Sequence, residues 1–120
     1  MKLGEKQRLF ARLIAQLISW AYVQGYELSL GDAYRDPRLH GALGEKKGYG
    51  HASSCHKLRL ALDLNLYVDS APGVDDDVYQ TSTEAHAALG AKWKSMHPLA
   101  RWGGDFNDGN HYSFEHEGHQ

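Results

Sequence analysis

The chain has 120 residues, a formal net charge of −2 and a single cysteine. This length suits one domain over residues 1–120, the charge lacks the basic excess of nucleic-acid-binding proteins, and one cysteine excludes an internal disulfide. No stretch approaches the roughly 18 apolar residues of a membrane span, and the charged N-terminus does not have the pattern of a signal peptide.

The first half of the chain predicts a helix, a short strand and a long loop. Apolar residues recur at helical spacing over residues 5–24, which predicts an amphipathic helix that ends at Gly25. The alternating run 26–30 favours a short strand. Residues 37–55 are rich in glycine and predict a long loop, and a loop of this length in a compact domain is usually functional or mobile.

The second half predicts the clearest strand. Residues 60–67 alternate, so their leucines share a face that we expect to pack on the first helix. The opposite face carries Asp63 in mid-strand, where packing alone needs no carboxylate. A capping box at 81–84 predicts a second helix over 82–96, and 111–115 predicts a final strand. The elements predict an α+β fold, with a small antiparallel sheet carrying the site and helices packed on its other face.

Three residues that are distant in sequence have the side chains of a metal site. His56 and Asp63 are seven residues apart, where a loop leads into the leucine strand, so the fold can direct both side chains to one point. His111 opens the last strand and is the best third ligand, because that strand can pair beside the leucine strand. A catalytic zinc site takes three protein ligands of these types and leaves a fourth position to water. Two histidines alone would be a weak signal.

Asp108 precedes His111 by three residues, across a turn. That spacing can hold its carboxylate beside the metal, where it would act as a general base on the attacking water. The alternative is an ordinary turn residue in an Asp-Gly pair, which is the better interpretation of Asp108 taken alone.

Cys55 adjoins a proposed ligand, and a thiol nucleophile is conceivable. Because no oriented third group is evident, we interpret Cys55 as a small buried residue. The tail from residue 116 is expected to fray. Five other histidines are expected at the surface, namely His40, His86, His97, His116 and His119.

Three segments resemble one known family. The run 54–64, SCHKLRLALDL, resembles the Ser-x-His-(x)6-Asp signature of the D-alanyl-D-alanine carboxypeptidase and dipeptidase family. That family includes phage endolysins that cut the L-alanyl-D-glutamate bond, and it is related to the hedgehog zinc fold. The run 108–111 resembles its second signature, and 102–106 resembles a Trp-Gly-Gly-Asp stretch of phage members. The resemblance implies a set of roles, namely Zn²⁺ ligands at His56, Asp63 and His111 and the catalytic base at Asp108.

The resemblance also bears on three further residues. Arg35 stands where the family places an arginine that binds substrate and stabilises the oxyanion, whereas the simpler interpretation is a solvated arginine paired with Asp32 or Asp36. Ser54 is predicted to hydrogen-bond substrate, and a turn serine is nearly as good an interpretation. Arg59 departs from the family pattern, because many members carry glycine there.

The function that this resemblance implies is zinc-dependent hydrolysis of peptidoglycan stem peptides. The compact chain favours a phage endolysin, an L-alanyl-D-glutamate endopeptidase that lyses the host wall. We expect a monomer without stable membrane insertion that accumulates in the cytoplasm of the infected bacterium and reaches the wall through a holin-type lesion. Two alternatives remain, a D-Ala-D-Ala carboxypeptidase and a non-catalytic wall-binding module stabilised by zinc. Asp108 argues against the second, since a structural zinc site needs no base.

Overall fold

The structure is a computed structural model that describes residues 1–48 and 50–120, and it has the predicted α+β fold. The helices described are α1 (Leu3–Val23), α2 (Pro37–His40) and α3 (Ala87–Met96), with short 3-10 helices at Cys55–Leu58, Glu84–His86 and Gly103–Phe106. The strands described are β1 (Glu27–Leu30), β2 (Ala61–Val68), β3 (Val78–Tyr79), β4 (Ala100–Trp102) and β5 (His111–Phe114). Within the described residues, no helix combines the length and apolar character needed to cross a membrane.

One antiparallel sheet is built around β2. The strand order is β1-β2-β5-β4, and β3 pairs with the far end of β2. The register between β2 and β5 places Asp63 directly opposite His111. Because directly opposed residues of antiparallel strands project from the same face, this pairing brings two of the predicted ligands together.

The other face of the sheet is covered by helices. Phe10 of α1 lies edge-on to Trp93 of α3 and to Phe114 of β5, with ring centroids 5.7 and 5.5 Å apart. The leucines of the central strand belong to the same buried cluster, and Leu64 and Leu66 are fully buried. The hydrophobic core therefore occupies the helix-covered face of the sheet and leaves the opposite face for polar chemistry.

The element boundaries differ from the predicted ones for local reasons. Part of the predicted long loop forms α2, because the Asp36 carboxylate accepts a hydrogen bond from Arg38 N at 2.9 Å and Pro37 suits the first helical turn. The second helix begins as a 3-10 turn, and its α-helical part starts only at Ala87. There the Ser82 hydroxyl accepts from Ala85 N, at 3.2 Å, in place of the predicted capping box.

Two of the histidines predicted at the surface are buried, so that prediction was wrong for them. His40 and His86 are 8% and 3% exposed. His86 can be buried because its Nδ1 lies 2.9 Å from the Tyr112 hydroxyl, and burial lowers the pKa of this imidazole and favours its neutral form. The tail also differs from the prediction, since His116 and His119 exchange backbone hydrogen bonds and close a turn.

Candidate metal centre

The 3-10 helix at Cys55–Leu58 fixes His56. The Ser54 hydroxyl caps this helix by accepting a hydrogen bond from His56 N, at 3.2 Å. The imidazole Nδ1 lies 2.7 Å from the Ala33 carbonyl oxygen, which can only accept. Nδ1 therefore carries the hydrogen, and a neutral imidazole presents the lone pair of Nε2 to the site. Such a bond to a carbonyl is how proteins orient metal-binding histidines.

The segment that follows β1 fixes the backbone of Asp63. The backbone N of Asp63 donates to Asp32 O, and its carbonyl accepts from Gly31 N, both at 2.8 Å. Burial raises the pKa of the Asp63 carboxyl, but His111 and His56, when they are protonated and donate to the carboxylate, outweigh this effect and lower the pKa to about 2. The carboxylate is therefore ionised at neutral pH, as a metal ligand must be.

Three ligand atoms converge from these elements. Nε2 of His56 lies 3.1 Å from Oδ1 of Asp63 and 3.2 Å from Nδ1 of His111, and Oδ1 lies 3.6 Å from that Nδ1. Ligands placed tetrahedrally around a zinc ion at its usual bond lengths would be separated by about 3.3 Å. The three atoms therefore match the spacing of a metal site, and the group could hold a metal ion.

Electrostatics also favour a cation at this point. If the imidazoles are neutral, lone pairs on two nitrogens and a carboxylate oxygen face one another at close range. A proton on one imidazole would satisfy one of these contacts, whereas a divalent ion would satisfy all three at once. His56 and His111 are only 1% and 4% exposed, so water does little to screen the repulsion.

A cleft of about 470 Å³ opens beside this group. His111, Asp108, Arg35 and Ser54 are among the residues that line it. The cleft has the size of an ordinary ligand pocket, and it reaches the metal-binding group at His111.

Comparison with known proteins does not assign the chain to a family. No family model matches it, and no curated protein matches it. The interpretation of the site therefore rests on the residues, their spacing and their geometry.

Asp108 lies on the rim of the cleft. Its backbone N donates to Gly103 O at 2.7 Å, and its carbonyl accepts from His111 N at 3.1 Å. The residue is exposed and does not belong to the group of mutually close ligand atoms. It also lines a second, smaller cleft of about 210 Å³ that includes Thr83 and Asn107. Asp108 is thus beside the metal-binding group and open to a bound molecule.

Close packing at Gly103 holds Asp108 and His111 in place. A Cβ atom at Gly103 would overlap the Asp108 carbonyl oxygen and would lie 2.6 Å from the His111 Cβ. The neighbouring Gly104 has no room for a side chain either, because the Trp102 ring lies against it. These contacts give a steric reason for the Trp-Gly-Gly run.

We expect Gly103→Ala to displace this turn. Overpacking of this kind costs about 1–3 kcal/mol, so the melting temperature should fall and zinc should bind more weakly as His111 shifts. Thermal unfolding with and without zinc measures both effects. Gly4→Ala in α1 is the control, since the added methyl group meets only the Arg8 side chain at 3.4 Å. Unchanged zinc affinity in Gly103→Ala would contradict the expected displacement.

Arg35 is paired with Asp32, as the simpler interpretation expected, but it is not solvated. Its Nε lies 3.6 Å from the Asp32 carboxylate, and its side chain lines the cleft with 11% of its surface exposed. The Arg35 backbone N donates to His56 O at 3.0 Å, which ties it to a ligand. Asp36 is not a partner here, because it binds Arg38, whose hydrogen bonds lower the pKa of Asp36 to about 2.

Ser54 and Arg59 are explained by the backbone around them. The Ser54 hydroxyl caps the helix that carries His56, and the residue also lines the cleft. Arg59 ends that helix with φ +56°, the left-handed conformation that glycine adopts without strain. Glycine, which many members of the family that the sequence resembles carry at this position, would adopt this conformation without strain. In this chain the Arg59 guanidinium lies 4.0 Å from the centre of the Tyr34 ring.

Cys55 is fully buried, and it is not placed to act as a nucleophile. Burial, and to a smaller extent the Glu115 charge, raise the pKa of its thiol to about 12. The thiol is therefore protonated at neutral pH and is closed to substrate.

We expect Cys55→Ala to keep zinc binding and activity. Loss of a small buried side chain should cost roughly 1 kcal/mol of stability. Denaturant unfolding measures this cost, and a matched activity assay measures turnover. A folded, zinc-loaded Cys55→Ala protein without activity would restore the thiol mechanism.

Sequence reasoning missed two residues of this region, Lys57 and Gly50. Lys57 is buried beside His56, and Gly50 lies against the Arg35 guanidinium. Neither carried a sequence signal, since a lysine next to a ligand is ordinary and Gly50 is one of several loop glycines.

Proposed function

We propose that this chain is a zinc-dependent peptidase that hydrolyses peptidoglycan stem peptides, most specifically an L-alanyl-D-glutamate endopeptidase of phage type. The observation that carries the proposal is the convergence of His56 Nε2, Asp63 Oδ1 and His111 Nδ1 to separations of 3.1–3.6 Å. The signature residues described above add the substrate class.

The donor set favours zinc over calcium and magnesium. Two imidazole nitrogens and one carboxylate suit zinc, whereas calcium and magnesium prefer oxygen ligands throughout. Within the described residues the group contains three ligands and no fourth. Three protein ligands are typical of catalytic zinc sites, while structural sites use four.

Two residues of the cleft, Asp108 and Arg35, have roles in the proposed reaction beside the metal ligands. A divalent ion held by the three ligands supplies Lewis-acid polarisation of a carbonyl and lowers the pKa of a water molecule. Asp108 takes the proton of the attacking water and passes it to the leaving amine. Arg35 donates hydrogen bonds to the substrate carbonyl oxygen as negative charge develops there. The Asp32 carboxylate, 3.6 Å from Arg35 Nε, helps to orient that guanidinium group.

The biology that we propose rests on the resemblance to phage members of the family. The enzyme would accumulate as a monomer in the cytoplasm of an infected bacterium and reach the wall through a lesion made by a holin-type partner. Its cleft would bind a stem peptide, whose carboxylates suit the Arg35 guanidinium.

A D-Ala-D-Ala carboxypeptidase is the alternative enzyme, because it would use the same metal ligands and base. A non-catalytic zinc module is less favoured. The Asp108 carboxylate is exposed on the cleft, and it forms no hydrogen bond or ion pair with the other described residues. A purely structural role therefore gives no reason for a carboxylate at this position.

Digestion of purified peptidoglycan tests the proposal. We expect the zinc-loaded protein to release fragments cut at the L-Ala–D-Glu bond, identified by mass spectrometry. A chelator should stop the reaction, and added zinc should restore it. Loss of terminal D-Ala alone would favour the carboxypeptidase, and intact peptidoglycan in the presence of bound zinc would refute peptidase activity.

A further inference from the structure

A buried lysine follows the ligand His56. Lys57 is only 7% exposed, although a lysine is almost never buried without partners. Its ammonium group donates to the carbonyl oxygens of His40 and Ala52 at 2.9 Å, of Ala42 at 3.2 Å, and of Glu45. An ammonium has three hydrogens, so the four carbonyls share them.

These four carbonyls all belong to one segment, whose described residues, 40–48 and 50–52, we call the 40–52 loop. Two backbone hydrogen bonds close this loop, from Lys47 N to His40 O at 3.0 Å and from Gly44 N to Ala52 O at 2.9 Å. Without the ammonium, carbonyl oxygens would face one another in a space that is poor in water. His40 O, Ala52 O and Ala42 O each keep a backbone N–H donor, whereas Glu45 O accepts from the ammonium. The single positive charge therefore stabilises the loop conformation by drawing the four carbonyl oxygens to one point.

The 40–52 loop also forms a wall of the cleft. Gly50 and His51 line the cleft, together with Ser53 and Ser54 directly after the loop. At Gly50 the φ angle is +89°, and a Cβ atom there would overlap the Arg35 guanidinium. The position of Gly50 therefore determines the space available to Arg35.

We propose that Lys57 is a positioning residue, whose buried ammonium holds the 40–52 loop against Arg35 as one wall of the substrate cleft. Lys57 would not touch substrate. It acts through the loop backbone, which carries Gly50 to the guanidinium group and His51 to the cleft. The expected effect of Lys57 on substrate binding rests on the proposed peptidase function. Its effect on the order of the loop does not.

Lys57→Ala with chemical rescue tests the proposal. The substitution removes a three-carbon chain and its ammonium, which n-propylammonium can replace. Hydrogen exchange should show faster exchange of the Gly44 and Lys47 amides in the variant, with the amides of β2 and β5 unchanged. On peptidoglycan fragments kcat/KM should fall by about 10- to 100-fold, mainly through KM. Propylammonium should restore both loop protection and KM, and tetramethylammonium, which has no N–H, should restore neither.

The controls separate this role from general stability. Lys47→Ala removes an exposed lysine of the same loop that donates to one carbonyl, Arg38 O at 3.1 Å, and it should match the wild type. Both variants should bind zinc with wild-type stoichiometry. If Lys57→Ala fails to fold, Lys57→Met keeps most of the buried chain and removes the ammonium with its charge and its N–H donors, and ammonium ion is then the rescuing agent.

The outcomes distinguish the two proposals. Wild-type loop protection in a folded Lys57 variant would overturn the positioning role, whatever the activity. Loss of loop protection with an unchanged KM would also overturn it, because the loop would then not form the substrate wall. A wild-type protein that orders its loop and binds zinc but cuts no peptidoglycan would refute the peptidase and leave the ordering of the loop by Lys57 intact.

Discussion

Replacing His111 with alanine is expected to abolish high-affinity zinc binding. Nδ1 of His111 lies within 3.6 Å of the other two ligand atoms, and the substitution leaves a site with only two protein ligands. Outer-shell partners of metal ligands are worth about 10- to 100-fold in affinity, and a direct ligand should be worth more. Zinc titration by calorimetry or with a competing chelator measures this loss.

The same substitution should remove the stabilisation that zinc gives to the fold. A ligand present at about 1,000 times its Kd stabilises the folded state by roughly 4 kcal/mol. For a domain of this size, that corresponds to a rise in melting temperature of roughly 15 °C. We expect this zinc-induced rise in the wild type and its loss in His111→Ala. Acid should also remove it, because the ligands bind metal only when deprotonated.

His97→Ala is the matched control for this experiment. His97 stacks on Phe114, with ring centroids 5.1 Å apart, but it is not in the ligand group. Its loss should lower the melting temperature with and without zinc, and the zinc-induced rise should stay. If zinc raised the melting temperature of His111→Ala as much as that of the wild type, the zinc ion would be bound at another site.

Asp108→Asn is expected to remove activity while zinc stays bound. The amide keeps the shape of the carboxylate but cannot accept the proton of the attacking water. General-base catalysis contributes about 10²- to 10⁴-fold, so turnover of peptidoglycan fragments should fall by that factor. Zinc content should equal that of the wild type, since Asp108 lies outside the ligand group.

Asp105→Asn provides the control on the same turn. Asp105 is exposed, and its carboxylate lies 3.2 Å from Lys94 Nζ, a surface contact that contributes little. This variant should keep near-wild-type activity. Wild-type turnover in Asp108→Asn would place the base elsewhere, and loss of zinc from that variant would make Asp108 a ligand.

Much of the fold was predictable because its signals are local. The apolar stripe of α1 and the alternation of β2 depend on neighbours a few residues away, and the structure confirms both elements. Their ends were less predictable, since the Asp36 cap turned part of a predicted loop into α2. The burial of His86 was not predictable either, because its hydrogen-bond partner, Tyr112, is 26 residues away.

The sequence by itself determined the helix and strand periodicity, the α+β class and the three residues with the chemistry of a metal site. Only the tertiary structure decided that Asp63 and His111 stand opposite each other, that Ala33 orients the His56 imidazole, and that one ammonium gathers the 40–52 loop. The physical reason is the distance along the chain over which each interaction acts. Periodicity reflects neighbours along one element, whereas strand register and hydrogen bonds to distant carbonyls exist only once the chain has packed.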